Sequence, residues 1–246
     1  MDRNNTVWII GANSDIAKSF VKKYISEFKN VILASKNQIE IHEFIQKTDA
    51  EKIETFELDI CDELSVDKFI EAAPVPDIVI IFAGYLQYDG MQENFSSENI
   101  IRTYRTNAEG PSILIEKLYK LMSPKHGGTV VALSSCAGER GKGSNRIYAA
   151  SKAAMSVYME GFMQAAEKDN IKTVLIKLGR VDTKMLKKSP IKNQQLFCCS
   201  SEQAADFIMR AIRKNKSQIC CYSRIWKYIM KIYKIIPLKI YNRINI

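Results

Sequence analysis

Thr6-Val7-Trp8-Ile9-Ile10-Gly11-Ala12-Asn13-Ser14-Asp15-Ile16-Ala17 is the stretch that decides the fold of this chain. Four apolar residues, Val7 to Ile10, run uninterrupted into a glycine, a group of small residues and then the apolar spacing of a helix. Such a run reads as a strand buried on both faces, the environment of a parallel sheet. The residues behind it set backbone N–H groups at a helix N-terminus, where the helix dipole favours an anion. Gly11, Asn13, Ser14 and Ile16 are therefore candidates to cradle a phosphate-bearing ligand. Asp15 suits a helix N-terminus but would repel a phosphate placed close to it, so its side chain is expected to point away.

The pattern recurs along the chain. Apolar or β-branched runs at Val31 to Ala34, Lys52 to Phe56, Ile78 to Phe82, Thr129 to Leu133 and Thr173 to Lys177 alternate with helical spacing at Ala17 to Phe28, Ser65 to Ala73, Pro111 to Met122 and Ile147 to Glu167. Ser200 followed by Gln203 is a capping-box pattern that opens a further helix near Ser201. This alternation predicts an α/β fold: a Rossmann-type, doubly wound parallel sheet of about seven strands with helices on both faces. Residues 184 to 200 read as a long loop, and loops of that length often act as lids.

The chain has 246 residues, 46% of them hydrophobic, enough for one full-sized core. Residues 1–222 are read as a single domain and residues 223–246 as a basic amphipathic extension. Ten Lys and Arg but no Asp or Glu fall between 207 and 246; removing those ten from 36 leaves 26 basic against 27 acidic residues. A near-neutral body argues against nucleic-acid binding, and the basic end reads as an attachment segment. Arg224, Lys227, Lys231 and Lys234 share one helical face, while Ile225, Trp226, Tyr228, Ile229, Ile232, Tyr233, Ile235 and Ile236 make a wide apolar remainder. That pattern suits peripheral contact with an anionic membrane surface or, alternatively, packing on a neighbouring subunit. No apolar run opens the chain, which predicts a cytoplasmic protein. Six cysteines without a C-x-x-C spacing, and only His42 and His126, argue against a metal site.

Tyr148-Ala149-Ala150-Ser151-Lys152 sets a phenol and an amine four residues apart, on one face of a helix. Composition alone yields about one such pair by chance, so context carries the weight. The pair opens a helix that follows a strand ending in Leu133-Ser134-Ser135, and Ser135 precedes Tyr148 by 13 residues. In that order and spacing, with Gly11 and Asn107 (in Thr106-Asn107-Ala108-Glu109-Gly110), the chain resembles the short-chain dehydrogenase/reductase family over roughly residues 6 to 222. It departs from the family's pattern at Asp15 and Ala17, where glycines usually stand, at Phe82, which replaces an asparagine, and at Leu178, which replaces a proline.

The resemblance implies an enzyme that moves a hydride between a nicotinamide and a ketone or secondary alcohol. Tyr148 would exchange the proton, Lys152 would lower its pKa and bind the nicotinamide ribose, Ser135 would polarise the carbonyl, and Asn107 would support a water in the proton relay. A free tyrosine titrates near about 10, and a nearby ammonium favours its phenolate. Developing charge on the carbonyl oxygen needs a donor and then a proton. By the same resemblance Asp59 and Ile60 flank the adenine, Ala83 and Gly84 let the backbone pass close to the cofactor, and Val181 and Thr183 meet the carboxamide end. The second strand ends in Ala34-Ser35-Lys36-Asn37, where an NAD-selective site would carry a carboxylate for the ribose. A hydroxyl and a cation at Ser35 and Lys36 predict NADP(H) over NAD(H), with NAD(H) still usable.

A narrower likeness, carried by Gly11 to Ala17, Val181-Asp182-Thr183-Lys184-Met185 and the basic end through Pro237, is to keto-sugar reductases of cell-envelope synthesis such as decaprenylphosphoryl-2-keto-ribose reductase. It implies a keto-sugar substrate, lipid-linked or nucleotide-linked. Arg140, Lys142 and Arg146 would equally suit a phosphorylated carrier, so a 3-oxoacyl or other small-ketone reductase stays open. So does a non-catalytic NADP(H)-binding regulator. The family resemblance further implies homodimers or homotetramers built on Pro111 to Met122 and Ile147 to Glu167.

Overall fold

The computed structural model describes residues 5–46, 52–87, 96–125, 127–141, 143–187, 198–221, 228 and 232–241. Seven strands form one parallel sheet: β1 (Thr6–Ile10), β2 (Asn30–Ser35), β3 (Ile53–Glu57), β4 (Ile78–Ile81), β5 (Gly128–Ser135), β6 (Ile171–Leu178) and β7 (Gln218–Cys221), in the order β3-β2-β1-β4-β5-β6-β7. The expected doubly wound sheet is therefore present. Its seventh strand had no signature in the sequence, because four residues at a sheet edge carry too little periodicity to read.

Helices cross between the strands: α1 (Asp15–Tyr24), α2 (Gln38–Ile45), α3 (Glu63–Ala72), α4 (Ser97–Tyr104), α5 (Gly110–Met122), α6 (Arg146–Ala166), α7 (Lys184–Lys187) and α8 (Ser201–Arg213). The capping box of α8 is complete, with Ser200 and Gln203 exchanging side-chain and backbone hydrogen bonds. Helices α2 and α4 escaped the periodicity reading, each being only eight residues long; Asn37 and Ser96 cap them by accepting from Glu40 N and Asn99 N. Strand β5 runs two residues beyond the expected Leu133, because Ser134 and Ser135 still pair with Lys177 and Leu178 on β6.

Alternation along β1 divides the core in two. Val7 and Ile9 face one cluster with Phe20 of α1 and Ile208 of α8, while Trp8 and Ile10 face the other with Phe69 of α3, Leu114 of α5 and Met159 of α6. Both faces of the strand are dry, as the unbroken apolar run requires. Cys199 is buried in the apolar core, and Cys136, also buried, sets its Sγ 3.5 Å from Cys221 Sγ.

Strand β1 has β2 on one side and β4 on the other, so successive strands leave it in opposite directions. A crevice opens at the carboxyl ends of strands where the order reverses in this way. The stretch read as a lid begins instead with the short helix α7, and a bridge between Val181 and Cys199 closes its base. Residues 188 to 197, including Lys188-Ser189-Pro190, lie outside the described residues, as do Lys142 and, in the basic end, Arg224, Ile225, Trp226, Lys227, Ile229 and Lys231.

Candidate active site

The crevice begins at Gly11. Its φ of +78° suits glycine, and a Cβ there would sit 2.6 Å from Ala83 N, so the turn after β1 lies directly on the end of β4. Backbone N–H groups of Gly11 and Ala12 bond to Ala34 O at the end of β2, which draws three strand ends together. Asn13 extends this join, donating to Ser35 Oγ and to Asn37 O, both at 2.8 Å. Among the described residues its Oδ1 is buried without a hydrogen-bond partner, which a ligand's donor could satisfy.

Asp15 does turn its carboxylate to protein rather than to the phosphate position: Oδ2 accepts from Lys184 N at 2.6 Å, at the start of α7. The acid that replaces a small residue in the first turn thus ties that turn to the loop after β6. Lys36 reaches across to Asp59, Nζ to Oδ2 at 2.6 Å. Burial opposes ionisation of Asp59, but hydrogen bonds from Lys36 and from the Cys61 amide outweigh it and hold the carboxyl below its ordinary range. The same hydrogen bond raises the Lys36 amine above its usual value.

At the other end, α6 carries Tyr148 and Lys152 on one face. The Lys152 amine lies 6.0 Å from the centre of the Tyr148 ring and donates to Leu133 O at 3.0 Å. It is almost wholly buried, and burial brings its pKa down to about 8. Gly138 lets the loop after β5 press on α6, since a Cβ there would come within 2.8 Å of the Lys152 carbonyl carbon. Ser135 opens that loop, and its Oγ accepts from Ala137 N at 3.1 Å.

Asn107 sits in a single π-helical turn, Arg105–Glu109, between α4 and α5. Turns of this kind occur frequently at functional sites. The side chain is buried: Oδ1 accepts from Tyr85 N at 2.7 Å, and Nδ2 donates to Tyr85 O and to Ser151 Oγ. It clamps the chain just after Gly84, where an added Cβ would lie 3.6 Å from Asn107 Oδ1 and 3.7 Å from Lys152 Nζ.

One cavity of about 1240 Å³ gathers Gly11, Asn13, Ser14, Ile16, Ser35, Lys36, Asp59, Ile60, Ala83, Gly84, Ser135, Tyr148, Lys152, Val181 and Thr183. Of the expected catalytic and cofactor residues, Asn107 stands behind the wall instead of lining it, and Arg146, expected to meet a carrier, does not line it either but donates to Gly143 O at 3.1 Å. The cavity also takes in residues that the sequence did not mark, among them Tyr85, Arg102 and Asn145, and Tyr233, which the sequence had placed with the apolar residues of the basic end. Arg102 stacks on the Tyr85 ring at 4.4 Å, a pairing of residues 17 apart that no spacing rule flags.

Arg140, the cation expected to suit a phosphorylated carrier, lines the cavity and also meets the basic end of the chain. Its guanidinium donates to the Tyr233 carbonyl and lies 3.9 Å from the centre of the Tyr241 ring. Lys234 pairs with Glu139, which also holds Lys177 at 2.7 Å, and Tyr241 donates to Gly141 O. Tyr233, Lys234 and Tyr241 of the basic end therefore rest on their own chain's loop after Ser135.

The family model for short chain dehydrogenases matches residues 5–194. An uncharacterized oxidoreductase of Staphylococcus haemolyticus is 24% identical over 208 residues, 83% of this chain and 89% of that protein. A 2,3-dihydro-2,3-dihydroxybenzoate dehydrogenase of Bacillus subtilis is 24% identical over 185 residues, 72% of this chain and 70% of its own length. Among solved structures, a short chain dehydrogenase of Burkholderia cenocepacia in complex with NADP superposes with a TM-score of 0.84 at 14% identity, covering 100% of this chain and 99% of that one, a likeness of fold. With the motif residues gathered in one cleft and the family model spanning most of its length, the chain belongs to the short-chain dehydrogenase family of NAD(P)-dependent oxidoreductases.

Proposed function

We propose that this protein is an NADP(H)-dependent enzyme interconverting a ketone and a secondary alcohol, with Tyr148 as the proton carrier. The observation that carries this reading is the shared cleft of Tyr148, Lys152 and Ser135, continuous with the turn at Gly11. Hydride transfer is the chemistry a bound nicotinamide supplies. Gly11, Asn13, Ser14, Ile16, Asp59, Ile60, Ala83, Gly84, Val181 and Thr183 would hold the cofactor, together with Tyr148 and Lys152. The fit is supported by the glycine-only contact of Gly11 with Ala83 and by the unpartnered Asn13 Oδ1.

Within that reading Ser135 keeps its O–H to donate to the carbonyl, because its oxygen already accepts from Ala137 N. The Lys152 ammonium favours the Tyr148 phenolate, so the phenol can give up its proton nearer neutral pH. Asn107 holds the turn at Tyr85 and the start of α6 in place, and would support a water of the proton relay. Ser35 and Lys36, with no carboxylate at the end of β2, favour NADP(H); the Burkholderia protein, which shares the fold, was solved with NADP.

The substrate we favour is a keto-sugar, lipid-linked or nucleotide-linked, with a 3-oxoacyl compound or another small ketone as the second reading. A lipid-linked substrate accords with peripheral membrane contact through residues 223–246, where Tyr228, Ile232, Ile235, Leu238 and Ile240 are exposed among basic residues. No helix among the described residues is long and apolar enough to cross a membrane. Assembly into dimers or tetramers through α5 and α6 belongs to the same proposal.

NADPH oxidation measured on a panel of keto-sugars and 3-oxoacyl compounds tests the activity. Tyr148→Phe is expected to lower turnover by at least about 100-fold with NADPH binding retained. Full activity in that variant would overturn the reading, and NADPH binding with no turnover of any compound would favour a regulator. Truncation after Tyr222 is expected to release the protein from membranes; an unchanged distribution would remove the membrane contact.

A further inference from the structure

The substrate end of the cleft carries two features that the reaction itself does not use. Asn145 occupies the N-cap of α6, where an asparagine ordinarily accepts a hydrogen bond from the first turn. Here the side chain makes no cap hydrogen bond, and among the described residues its Oδ1 is buried without a partner. A buried acceptor in that state costs stability unless something donates to it. Asn145 lines the cleft three residues before Tyr148, and a rotation of its side-chain amide would turn the acceptor toward a molecule bound there.

Tyr233 is the second feature. It comes from the basic end of the chain, yet it lines the same cleft as Tyr148. It is held there at both main chain and ring: Arg140 donates to its carbonyl, and its ring meets that of Tyr241 edge-on at 5.4 Å. Arg140 in turn stacks on Tyr241, and the neighbouring Lys234 is fixed by Glu139. Four contacts thus position this half-buried tyrosine on the wall of the cleft. An aromatic face offers a flat apolar surface to a ring of the ligand.

We infer that Tyr233 and Asn145 form the substrate-recognition face of this cleft, selecting a ketone carried on a ring that offers a hydrogen-bond donor. Tyr233 takes the face of the ring and Asn145 Oδ1 accepts from its hydroxyl or N–H. Arg140 acts as a positioning residue for Tyr233. The inference rests on the cleft being a ketone site and narrows the class of ketone; a hydroxylated sugar ring meets both requirements, and an open-chain ketone without a donor meets neither.

The test uses the full chain with NADPH and two vicinal dicarbonyl probes: isatin, a keto-lactam with a flat ring and an N–H donor, and diacetyl, which has neither. Tyr233→Ala and Asn145→Ala are each expected to raise KM for isatin about tenfold with kcat little changed, while kcat/KM for diacetyl and the Kd for NADPH stay within about twofold. Tyr233→Phe should retain the wild-type KM. Arg140→Ala should reproduce the loss of Tyr233→Ala, and the double variant should be no worse than either single one. Equal losses on both probes, unchanged KM for isatin, or additive effects of Arg140 and Tyr233 would each overturn the inference. If neither probe is reduced, calorimetric binding of isatin to the NADPH complex decides: weakening in both alanine variants sustains the recognition face while the reductase reading fails, and absent or unaltered binding overturns it.

Discussion

The Lys152 amine stands 6.0 Å from the centre of the Tyr148 ring while its own hydrogen bond goes to the Leu133 carbonyl at the end of β5. Helix spacing sets the pair on one face, and the strand end fixes how far the amine can swing. Burial keeps that amine near a pKa of about 8 against 10.5 for a free one. The charge beside the phenol is therefore present at neutral pH and lost in mild base.

A pH dependence follows with a definite sign. Between about 8 and 10.5 the unfolded chain holds a proton on Lys152 that the native protein has released, so stability rises with pH across that window. Below it the native state carries the full cost of the buried charge. Lys152→Met is expected to be more stable than the parent at pH 7 by on the order of 3 kcal/mol, with the difference closing by about pH 10.5. Denaturant melts of both proteins across that range check the sign, and kcat/KM for ketone reduction should fall above about pH 8.

Gly11→Ala tests the join between β1 and β4. The residue has φ +78°, and its new Cβ would lie 2.6 Å from Ala83 N, a backbone atom that cannot rotate aside. The left-handed conformation alone costs about 1–2 kcal/mol. Melts should show a loss of at least about 2 kcal/mol, with NADPH binding weakened more than tenfold.

Lys36→Glu separates cofactor choice from stability. The Lys36–Asp59 pair is short at 2.6 Å, but the lysine side chain is 75% exposed, and such pairs contribute about 0–1 kcal/mol. Thermal stability is expected to change little. KM for NADPH should rise at least tenfold and KM for NADH should not, as steady-state kinetics with each cofactor will show.

Glu139 fastens the basic end to the loop after Ser135. Burial would raise its pKa, yet hydrogen bonds to Lys177 and Lys234 outweigh that and hold the carboxyl below its ordinary value. Its contribution is complete above the ordinary glutamate range and is lost as pH falls through the lowered value. Glu139→Gln removes the negative charge closest to the mostly buried Lys177 and leaves Glu160, at 3.5 Å, as its anionic partner among the described residues, at an expected cost of about 3 kcal/mol. Hydrogen exchange of residues 232–241 should speed up in the variant at pH 7, and in the parent only in acid.

The sequence by itself determined the layers of this protein. Val7-Trp8-Ile9-Ile10 and its counterparts are apolar on both faces, and only a sheet covered on both sides satisfies them, so the parallel architecture followed from composition within short windows. The Tyr148 and Lys152 pair was legible for the same reason, since four residues of helix make one turn. Tertiary structure decided what lies far apart along the chain: Asp15 with Lys184, Arg102 against Tyr85, and Tyr233 carried back to the cleft by Arg140 and Glu139. Local periodicity records which face of an element is dry. It says nothing of which loop a distant carboxylate or guanidinium will meet, because that depends on where the strand ends converge once the sheet is closed on both sides.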